Sequence, residues 1–310
     1  MSETLLLTVD VSNPQGAGAR DGAGVSVHDT STPLLYADDL AALRGDGIFE
    51  TLLVAGGTAR NVERHLDRFE RSAKALDLPI PDRATWESAI EQAQTLWAAE
   101  HDVDADAVMR LVYSRGRERD LEHSGEGESC VPTAYLTVAP AGERGPRLRE
   151  QGVSVITVDR GYSIDLAAKA PWQLLGAKTL SYATNMAALR HAAERGVDDV
   201  LYTSSEGVVL EAPRASVVAV YDKTLVTTPP DYGVLAGTTV AATFALAQEE
   251  GWRTETRAMR TPDLIKADSV WLMSSLTLAA RVTSLNGYDY ENPLRPREIP
   301  DLVRRAVLGE

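Results

Sequence analysis

The feature that most limits the fold of this chain is an interruption between two patterned segments. Residues 141–150, AGERGPRLRE, combine Gly, Pro and charge without an apolar period, which is typical of a linker. On each side of it, strand-like apolar runs are interleaved with runs of helical period. The sequence therefore predicts a small α/β domain over residues 1–140, a linker over 141–150 and a larger α/β domain over 151–310.

Composition excludes several classes of protein. The 310 residues carry 31 basic and 45 acidic side chains, and the resulting net charge of -14 disfavours binding to nucleic acid and to anionic lipid. The one cysteine, Cys130, provides neither a disulfide framework nor a cysteine-rich metal site. No run of about 18 apolar residues occurs, and the amino terminus lacks a signal-peptide pattern. We expect a cytoplasmic protein with no metal site.

Periodicity predicts the individual elements. Residues 47–60 have the pattern of a β-hairpin, and residues 62–76 that of an amphipathic helix with Asn61 as its N-cap. Further predicted elements of the first half are a helix over 84–101, strands over 107–116 and 133–140, and a polar loop over 117–130. Those of the second half are strands over 153–159, 198–207, 252–259 and 269–275, strands within 208–230, and helices over 184–196 and 238–252.

One lysine lies in an unusual sequence context. Lys178 follows the apolar run PWQLLGA and precedes a segment of helical period. Most lysines are solvated surface groups, but apolar neighbours favour the neutral amine, which is the nucleophile in Schiff-base chemistry. Pyridoxal phosphate is an aldehyde cofactor that uses such a lysine. It also requires a carboxylate for its ring nitrogen and hydrogen-bond donors for its phosphate.

Groups of both kinds occur downstream of Lys178. Glu211 ends an apolar run at a predicted strand end, where it is either a solvated acid or the partner of a ring nitrogen. The segment Gly237-Thr238-Thr239 opens a predicted helix, whose N-terminus is either an anion site or an ordinary capped end. Ser274-Ser275 follow a predicted strand and are either additional phosphate donors or turn residues.

Together with three motifs of the first half, these residues resemble the class IV aminotransferase family, the fold-type IV pyridoxal-phosphate enzymes. The motifs are RGDGIFET at 44–51, NVERHLDR at 61–68 and RLVYSRG at 110–116, and the likeness extends over roughly residues 35–290. The resemblance implies a two-domain α+β / α/β fold of the D-amino-acid-aminotransferase type. It also implies pyridoxal 5′-phosphate as the cofactor and a homodimer with its site between domains.

The resemblance implies roles for individual residues as well. Lys178 would carry the cofactor and act as acid and base, Glu211 would face the ring nitrogen, and Tyr182 would reach the ring hydroxyl. Ser216 stands near the cofactor where many relatives have asparagine. The phosphate would be bound by Arg68, Gly237, Thr238, Thr239, Ser274 and Ser275. From the sequence alone, Arg68 lies at the edge of an apolar helix face, where an arginine usually extends to solvent.

Short motifs favour one activity of the family over another. An Arg-X-His triplet, which D-amino-acid aminotransferases place after the strand that ends at Gly116, is missing from 117–128. KTLSYATNMAALR, the Glu50-Thr51 pair and the SSL of 274–276 resemble the aminodeoxychorismate lyases of high-GC bacteria. We therefore predict conversion of 4-amino-4-deoxychorismate to 4-aminobenzoate and pyruvate, with Thr51 as a candidate proton donor to the leaving group. The alternative is an aminotransferase of the D-amino-acid or branched-chain type.

The predicted substrate is small and carries two carboxylates, so the site needs cations. The candidates are Arg44, Arg110, Arg115 and Arg214. A third possibility is a non-catalytic binding protein on the same scaffold, against which the intact Lys178 and Glu211 argue.

Overall fold

Two β-sheets organise the chain, one in each of two units. The computed structural model describes residues 3–11, 24–123, 131–291 and 297–309, so Cys130 and part of the predicted polar loop lie outside the described residues. The first unit comprises Met1–Gly142 and Ala177–Tyr182, and the second comprises Glu143–Gly176 and Ala183–Glu310. Lys178 therefore belongs to the first unit and not, as the sequence suggested, to the carboxy-terminal one.

The first unit is built on a six-stranded antiparallel sheet. Its strands are β1 Leu5–Val9, β2 Val25–Val27, β3 Gly47–Ala55, β4 Thr58–Ala59, β5 Ala107–Ser114 and β6 Thr133–Pro140. They lie in the order β2-β1-β6-β5-β3-β4. β3 and β5 pair from Gly47 opposite Ser114 to Val54 opposite Ala107, which confirms the strand predictions for this half.

The described residues of the first unit form four helices. They are α1 Leu40–Arg44, α2 Val62–Ala75, α3 Arg83–Glu100 and α4 Glu118–His123. The predictions of α2 and α3 are confirmed, and Phe69 of α2 packs edge-on against Trp86 of α3 with ring centroids 5.0 Å apart. Two details are wrong. Asn61 precedes α2 with φ 55° and forms no side-chain cap, and α4 lies within the segment predicted as a polar loop.

The second unit contains a mixed eight-stranded sheet. Its strands are β7 Val153–Asp159, β8 Asp199–Thr203, β9 Ser216–Tyr221, β10 Thr224–Thr227, β11 Arg253–Thr256, β12 Ser269–Ser274, β13 Leu278–Leu285 and β14 Tyr288–Asp289. The order is β11-β10-β9-β12-β13-β7-β8, and β14 pairs with β13. The pairs β10–β11, β13–β7 and β7–β8 are parallel.

The helices of the second unit alternate in sequence with the strands of this sheet. They are α5 Arg144–Gln151, α6 Leu166–Lys169, α7 Ala183–Glu194, α8 Thr238–Glu249, α9 Thr261–Ile265 and α10 Glu298–Leu308. α10 packs with α8 and buries Ile299, Leu302, Val303 and Val307. No helix among the described ranges is long and apolar enough to cross a membrane.

Two predictions for the second unit are wrong in their local structure. The predicted linker contains α5, which buries Leu148 and is held by an ion pair of 3.3 Å between Arg144 and Asp199. The run that ends at Glu211 is not a regular strand, because Val208 and Val209 form isolated bridges with two different segments. In both cases contacts with distant parts of the chain decide the local conformation.

Candidate active site

The backbone of Lys178 is attached to the start of β3. The N–H of Phe49 donates to the carbonyl of Lys178 at 3.1 Å, and the N–H of Leu180 donates to the carbonyl of Gly47 at 2.8 Å. A Cβ atom at Gly47 would lie 2.8 Å from the backbone atoms Ser114 Cα and Tyr113 O of the neighbouring strand, and also 2.8 Å from Leu180 Cδ1, so glycine is required here. This packing gives a physical reason for the second glycine of the GDG motif.

The side chain of Lys178 lies over the aromatic ring of Phe49. Its Nζ is 4.4 Å from the centroid of the Phe49 ring, a cation–π distance. The edge of Tyr182 meets Phe49 with centroids 5.6 Å apart and an interplanar angle of 86°. Lys178 is half-buried, so its amine is partly screened from water as the sequence suggested.

Glu50 of β3 belongs to a buried ionic cluster. Glu50 is fully buried, accepts hydrogen bonds from Arg68 Nε at 2.7 Å and Arg68 Nη2 at 2.8 Å, and lies 2.7 Å from His65 Nδ1. Burial alone would raise the pKa of Glu50, but the charge and hydrogen bonds of Arg68, aided by His65, hold it far below its ordinary value. The carboxylate is therefore ionised.

His65 is neutral in the same cluster. Burial lowers its pKa from the ordinary value, and this effect outweighs the opposing influence of Glu50. Since a carboxylate can only accept, the neutral ring donates to Glu50 through Nδ1–H.

Arg68 is buried rather than extended to solvent. Its side chain is 6% exposed and forms a two-pronged ion pair with Glu50, so the usual explanation of an arginine at this helix position, extension to solvent, does not apply. Its role at the phosphate stays a prediction. Sequence reasoning missed His65 as a second partner of Glu50 beside Arg68, although the spacing of three residues on one helix face was the available signal.

The arginines proposed for substrate differ in their surroundings. Arg115 donates to Asp46 Oδ2 at 2.7 Å and to the carbonyls of Leu76 and Asp77 at 2.5 and 3.2 Å, which gives it a structural role at the end of α2. Arg44 is exposed and forms an ion pair of 3.5 Å with Glu118.

Arg110 and Thr51 lie directly opposite each other on β5 and β3. Arg110 is exposed and Thr51 is half-buried, with the Thr51 N–H donating to Glu50 at 3.3 Å. These two predicted residues therefore share one face of the first sheet.

In the second unit, Glu211 is fixed next to the segment that leads into α8. Its Oε2 accepts the N–H of Leu235 at 3.0 Å, and its carbonyl accepts the N–H of Tyr202 at 2.8 Å. The carboxyl group is half-buried. Arg214, which follows shortly after, is exposed, and its Nη2 lies 3.8 Å from the sulfur of Met186.

The N-terminus of α8 has the features of an anion site. Thr238 and Thr239 begin this twelve-residue helix and are 4% and 2% exposed. The Thr239 hydroxyl is buried and has no hydrogen-bond partner within the described part of the chain. Ser216 lies against Gly237, since a Cβ at Gly237 would be 2.5 Å from Ser216 Oγ. Because helix N-termini favour anions, the donor set fits a phosphate group.

The predicted serines lie where β12 leads into β13. Ser274 Oγ accepts the N–H of Thr277 at 3.3 Å, and Leu278 adopts a φ of 59°. Arg149 Nη1 donates to the carbonyl of Leu276 at 3.0 Å and holds this turn to α5. The turn interpretation of Ser274 is thus correct locally, and the role of Ser275 at a phosphate stays a prediction.

Comparison with known proteins places the chain in a family. Residues 47–285 match the family described as amino-transferase class IV. A bifunctional aminodeoxychorismate lyase / D-amino acid transaminase of Mycobacterium tuberculosis is 48% identical over 285 residues, which cover 90% of this chain and 95% of that protein.

Solved structures of similar proteins support the same family. A hypothetical aminotransferase from Mycobacterium tuberculosis in a PLP-bound form has a TM-score of 0.87 and 43% identity, covering 98% of this chain and 99% of that one. A form with α-ketoglutarate and PMP bound gives the same TM-score, identity and coverage. The predicted fold-type IV architecture and the pyridoxal-phosphate enzyme class are confirmed. The chain belongs to the class IV aminotransferase family.

Proposed function

We propose that this protein is a pyridoxal-phosphate-dependent aminodeoxychorismate lyase that converts 4-amino-4-deoxychorismate to 4-aminobenzoate and pyruvate. The main support is the 48% identity to a Mycobacterium tuberculosis enzyme named for this activity, over 95% of that enzyme's length. The fixed Lys178 and the anion-binding start of α8 are consistent with it.

Each proposed cofactor residue has a physical reason for its role. Lys178 would carry the cofactor, Glu211 would keep the ring nitrogen protonated, and the N-terminus of α8 with the Thr239 hydroxyl would bind the phosphate. Arg68, Tyr182, Ser216 and Ser275 complete the proposed set. When bound, pyridoxal phosphate supplies a ring that withdraws negative charge from the substrate.

The reaction then needs two proton transfers, one from the substrate to this chain and one from this chain to the leaving group. The Lys178 amine removes the proton at C4 of the substrate. The C3–O bond to the enolpyruvyl group breaks as the ring becomes aromatic, and Thr51 donates a proton to the departing oxygen. Enolpyruvate becomes pyruvate by moving a proton to carbon.

Of the four candidate arginines, Arg110 is the best suited to bind a substrate carboxylate. Arg115 is engaged with Asp46 and the end of α2, and Arg44 pairs with Glu118. Among the described residues, the exposed Arg110 side chain forms no ion pair or hydrogen bond. A guanidinium in this state binds a carboxylate without first losing another partner. Arg214 remains the second candidate.

A coupled assay for pyruvate and 4-aminobenzoate tests the proposal. We expect the wild type to form both products in equal amounts and Lys178→Ala to form neither, with an unchanged circular dichroism spectrum. Lys169→Ala, which removes an exposed lysine of α6, is the matched control and keeps full activity. If Lys178→Ala retains activity, the assignment of the lysine is wrong.

A D-amino-acid transaminase is the second candidate function. The relative named as a lyase is also named as a D-amino acid transaminase, and a similar structure holds α-ketoglutarate and PMP. Mixing the holoenzyme with D-alanine and then with α-ketoglutarate tests this activity. A transaminase loses and then regains its visible absorbance and forms glutamate, whereas a protein with lyase activity alone keeps its spectrum.

We further propose that the protein is a homodimer located in the cytoplasm. α7 has an apolar composition but buries only Ala192, and Met186 on this helix is 40% exposed. Trp172 is 73% exposed in the same unit. Such apolar surface is typical of an interface between subunits. Light scattering should give twice the chain mass of 33.5 kDa.

A further inference from the structure

We propose that Ser72 is a positioning residue for Lys178. Its hydroxyl fixes the lysine backbone, and the ionic cluster around Glu50 fixes the helix that carries Ser72. This inference rests on the proposed role of Lys178 as the residue that carries the cofactor. It concerns a serine of α2 that the sequence motifs do not single out.

The hydrogen bond from Lys178 to Ser72 joins residues that are distant in sequence. The N–H of Lys178 donates to Ser72 Oγ at 3.1 Å across a separation of 106 residues. Ser72 is 2% exposed. A serine hydroxyl can accept one hydrogen bond while it donates another, so Ser72 can hold the Lys178 N–H whether or not its own O–H donates within α2.

The two peptide groups next to the Lys178 α-carbon are held by different elements. α2 holds the N–H through Ser72, and β3 holds the carbonyl through the N–H of Phe49 at 3.1 Å. The direction of the Lys178 side chain therefore depends on how α2 lies against β3.

The same two elements are joined by the buried ionic cluster. Glu50 lies on β3, whereas His65 and Arg68 lie on α2. His65, Arg68 and Ser72 follow one another at intervals of three and four residues, so they share one face of the helix. The ion pair thus fixes the helix face from which Ser72 reaches the lysine.

Loss of the Ser72 hydroxyl should move the lysine without unfolding the segment. Leu180 N–H still donates to Gly47 at 2.8 Å, and Ser181 Oγ still donates to the carbonyl of Gly45 at 3.2 Å. These bonds keep the segment on β3 when the bond to Ser72 is lost. A displacement of about 1 Å in a reacting group can lower a rate about 100-fold.

Three variants of the holoenzyme test the inference. Ser72→Ala removes the hydroxyl, Ser72→Cys keeps the volume but offers a poor acceptor, and Ser72→Thr restores a hydroxyl. The matched control is Ser269→Ala, since Ser269 is a buried serine that accepts the Trp271 indole N–H at 2.9 Å. Each protein is measured for kcat and KM, for the pH at which its visible absorbance changes, and for the rate of cofactor fixation by borohydride.

We expect Ser72→Ala and Ser72→Cys to lower kcat about 10- to 100-fold with little change in KM. Both variants should also shift the pH of the absorbance change, and Ser72→Thr should restore kcat at least in part. Ser269→Ala should lower the thermal midpoint as much as Ser72→Ala but leave kcat and the spectrum unchanged. The inference is overturned if Ser72→Ala and Ser72→Cys match Ser269→Ala in kcat and in absorbance.

Failure of this inference is distinguishable from failure of the proposed function. If borohydride still fixes the cofactor to Lys178→Ala, the lysine assignment is wrong and the role of Ser72 is lost with it. If fixation requires Lys178 but the Ser72 variants behave as Ser269→Ala does, only the positioning role is wrong.

Discussion

Two buried polar sites, one in each unit, differ in whether the fold satisfies their hydrogen bonds. In the first unit, the fully buried Glu50 is bound by Arg68 at 2.7 and 2.8 Å and lies 2.7 Å from His65. In the second unit, Thr239 is buried to a similar degree, yet its hydroxyl has no partner within the described residues. The Glu50 carboxylate has its hydrogen-bond partners within the fold, whereas the Thr239 hydroxyl lacks one.

This difference distinguishes charges that are paired within the fold from a hydroxyl that fits the proposed phosphate site. A buried polar atom without a partner costs about 1–3 kcal/mol, so native proteins contain few of them. Such an atom at a helix N-terminus is explained if an anionic ligand completes its hydrogen bonding. The charges of the Glu50 cluster are paired within the fold, whereas the Thr239 hydroxyl would gain a partner from the phosphate in the proposed site.

The largest effect should come from exchanging a glutamate for glutamine in each unit. Glu50→Gln leaves the buried Arg68 without its counter-charge, so the free energy of unfolding should fall by about 3–5 kcal/mol. Glu211→Gln removes a half-buried carboxylate and should change that free energy by less than about 0.5 kcal/mol. The lyase rate of Glu211→Gln should nevertheless fall by about 100-fold, since an amide does not keep a ring nitrogen protonated.

Urea unfolding of both variants, without cofactor, measures this contrast. The coupled assay for pyruvate and 4-aminobenzoate then measures activity in the variants that fold. Equal loss of stability in the two variants would contradict the separation of roles.

A smaller effect is expected from Thr239→Val. Valine has nearly the same shape as threonine but lacks the unpartnered hydroxyl, so the cofactor-free protein should be equally stable or more stable by up to about 1 kcal/mol. Its Kd for pyridoxal phosphate should rise about tenfold, because one hydrogen bond to a charged group is lost. Absorbance titration measures the Kd, and urea unfolding measures stability.

Thr243→Val on the same helix is the control. The Thr243 hydroxyl is buried but already donates to the carbonyl of Thr239 at 2.8 Å. We expect a small loss of stability and an unchanged Kd for this variant. If the two variants have the same Kd, the unpartnered hydroxyl is not a ligand for the phosphate.

Prediction from the sequence succeeded where the signal was local. The apolar spacing in α2 and α3 arises within each helix, and the order of motifs identified the family. α5 was missed because it buries only Leu148 and depends on the ion pair between Arg144 and Asp199, which are 55 residues apart. A short segment of mixed charge carries no sign of such a distant partner.

Prediction of the site residues was limited in the same way, because distant contacts are not visible in the sequence. Lys178 and Glu211 were singled out from their neighbours in sequence, whereas the burial of Arg68 depends on Glu50, which lies 18 residues earlier on a strand. Arg115 likewise has a structural role because Asp46, 69 residues away, lies beside it after folding. Charge pairing across elements depends on tertiary structure, so residue type and spacing alone did not reveal it.

The last expected effect is a pH dependence of stability that arises from His65 in the first unit's cluster. Burial lowers the pKa of His65 below its ordinary value of about 6.5, so the unfolded chain takes up this proton before the folded protein does as the pH falls. The contribution is complete above about pH 6.5 and is lost as the pH falls from there towards the folded-state pKa. The slope of the free energy of unfolding is at most about 1.4 kcal/mol per pH unit.

Urea unfolding at several pH values between 7.5 and 5.5 should show this slope in the wild type, and the His65→Gln variant should lack it. Equal slopes in the two proteins would mean that His65 takes up its proton as readily in the folded state as in the unfolded chain.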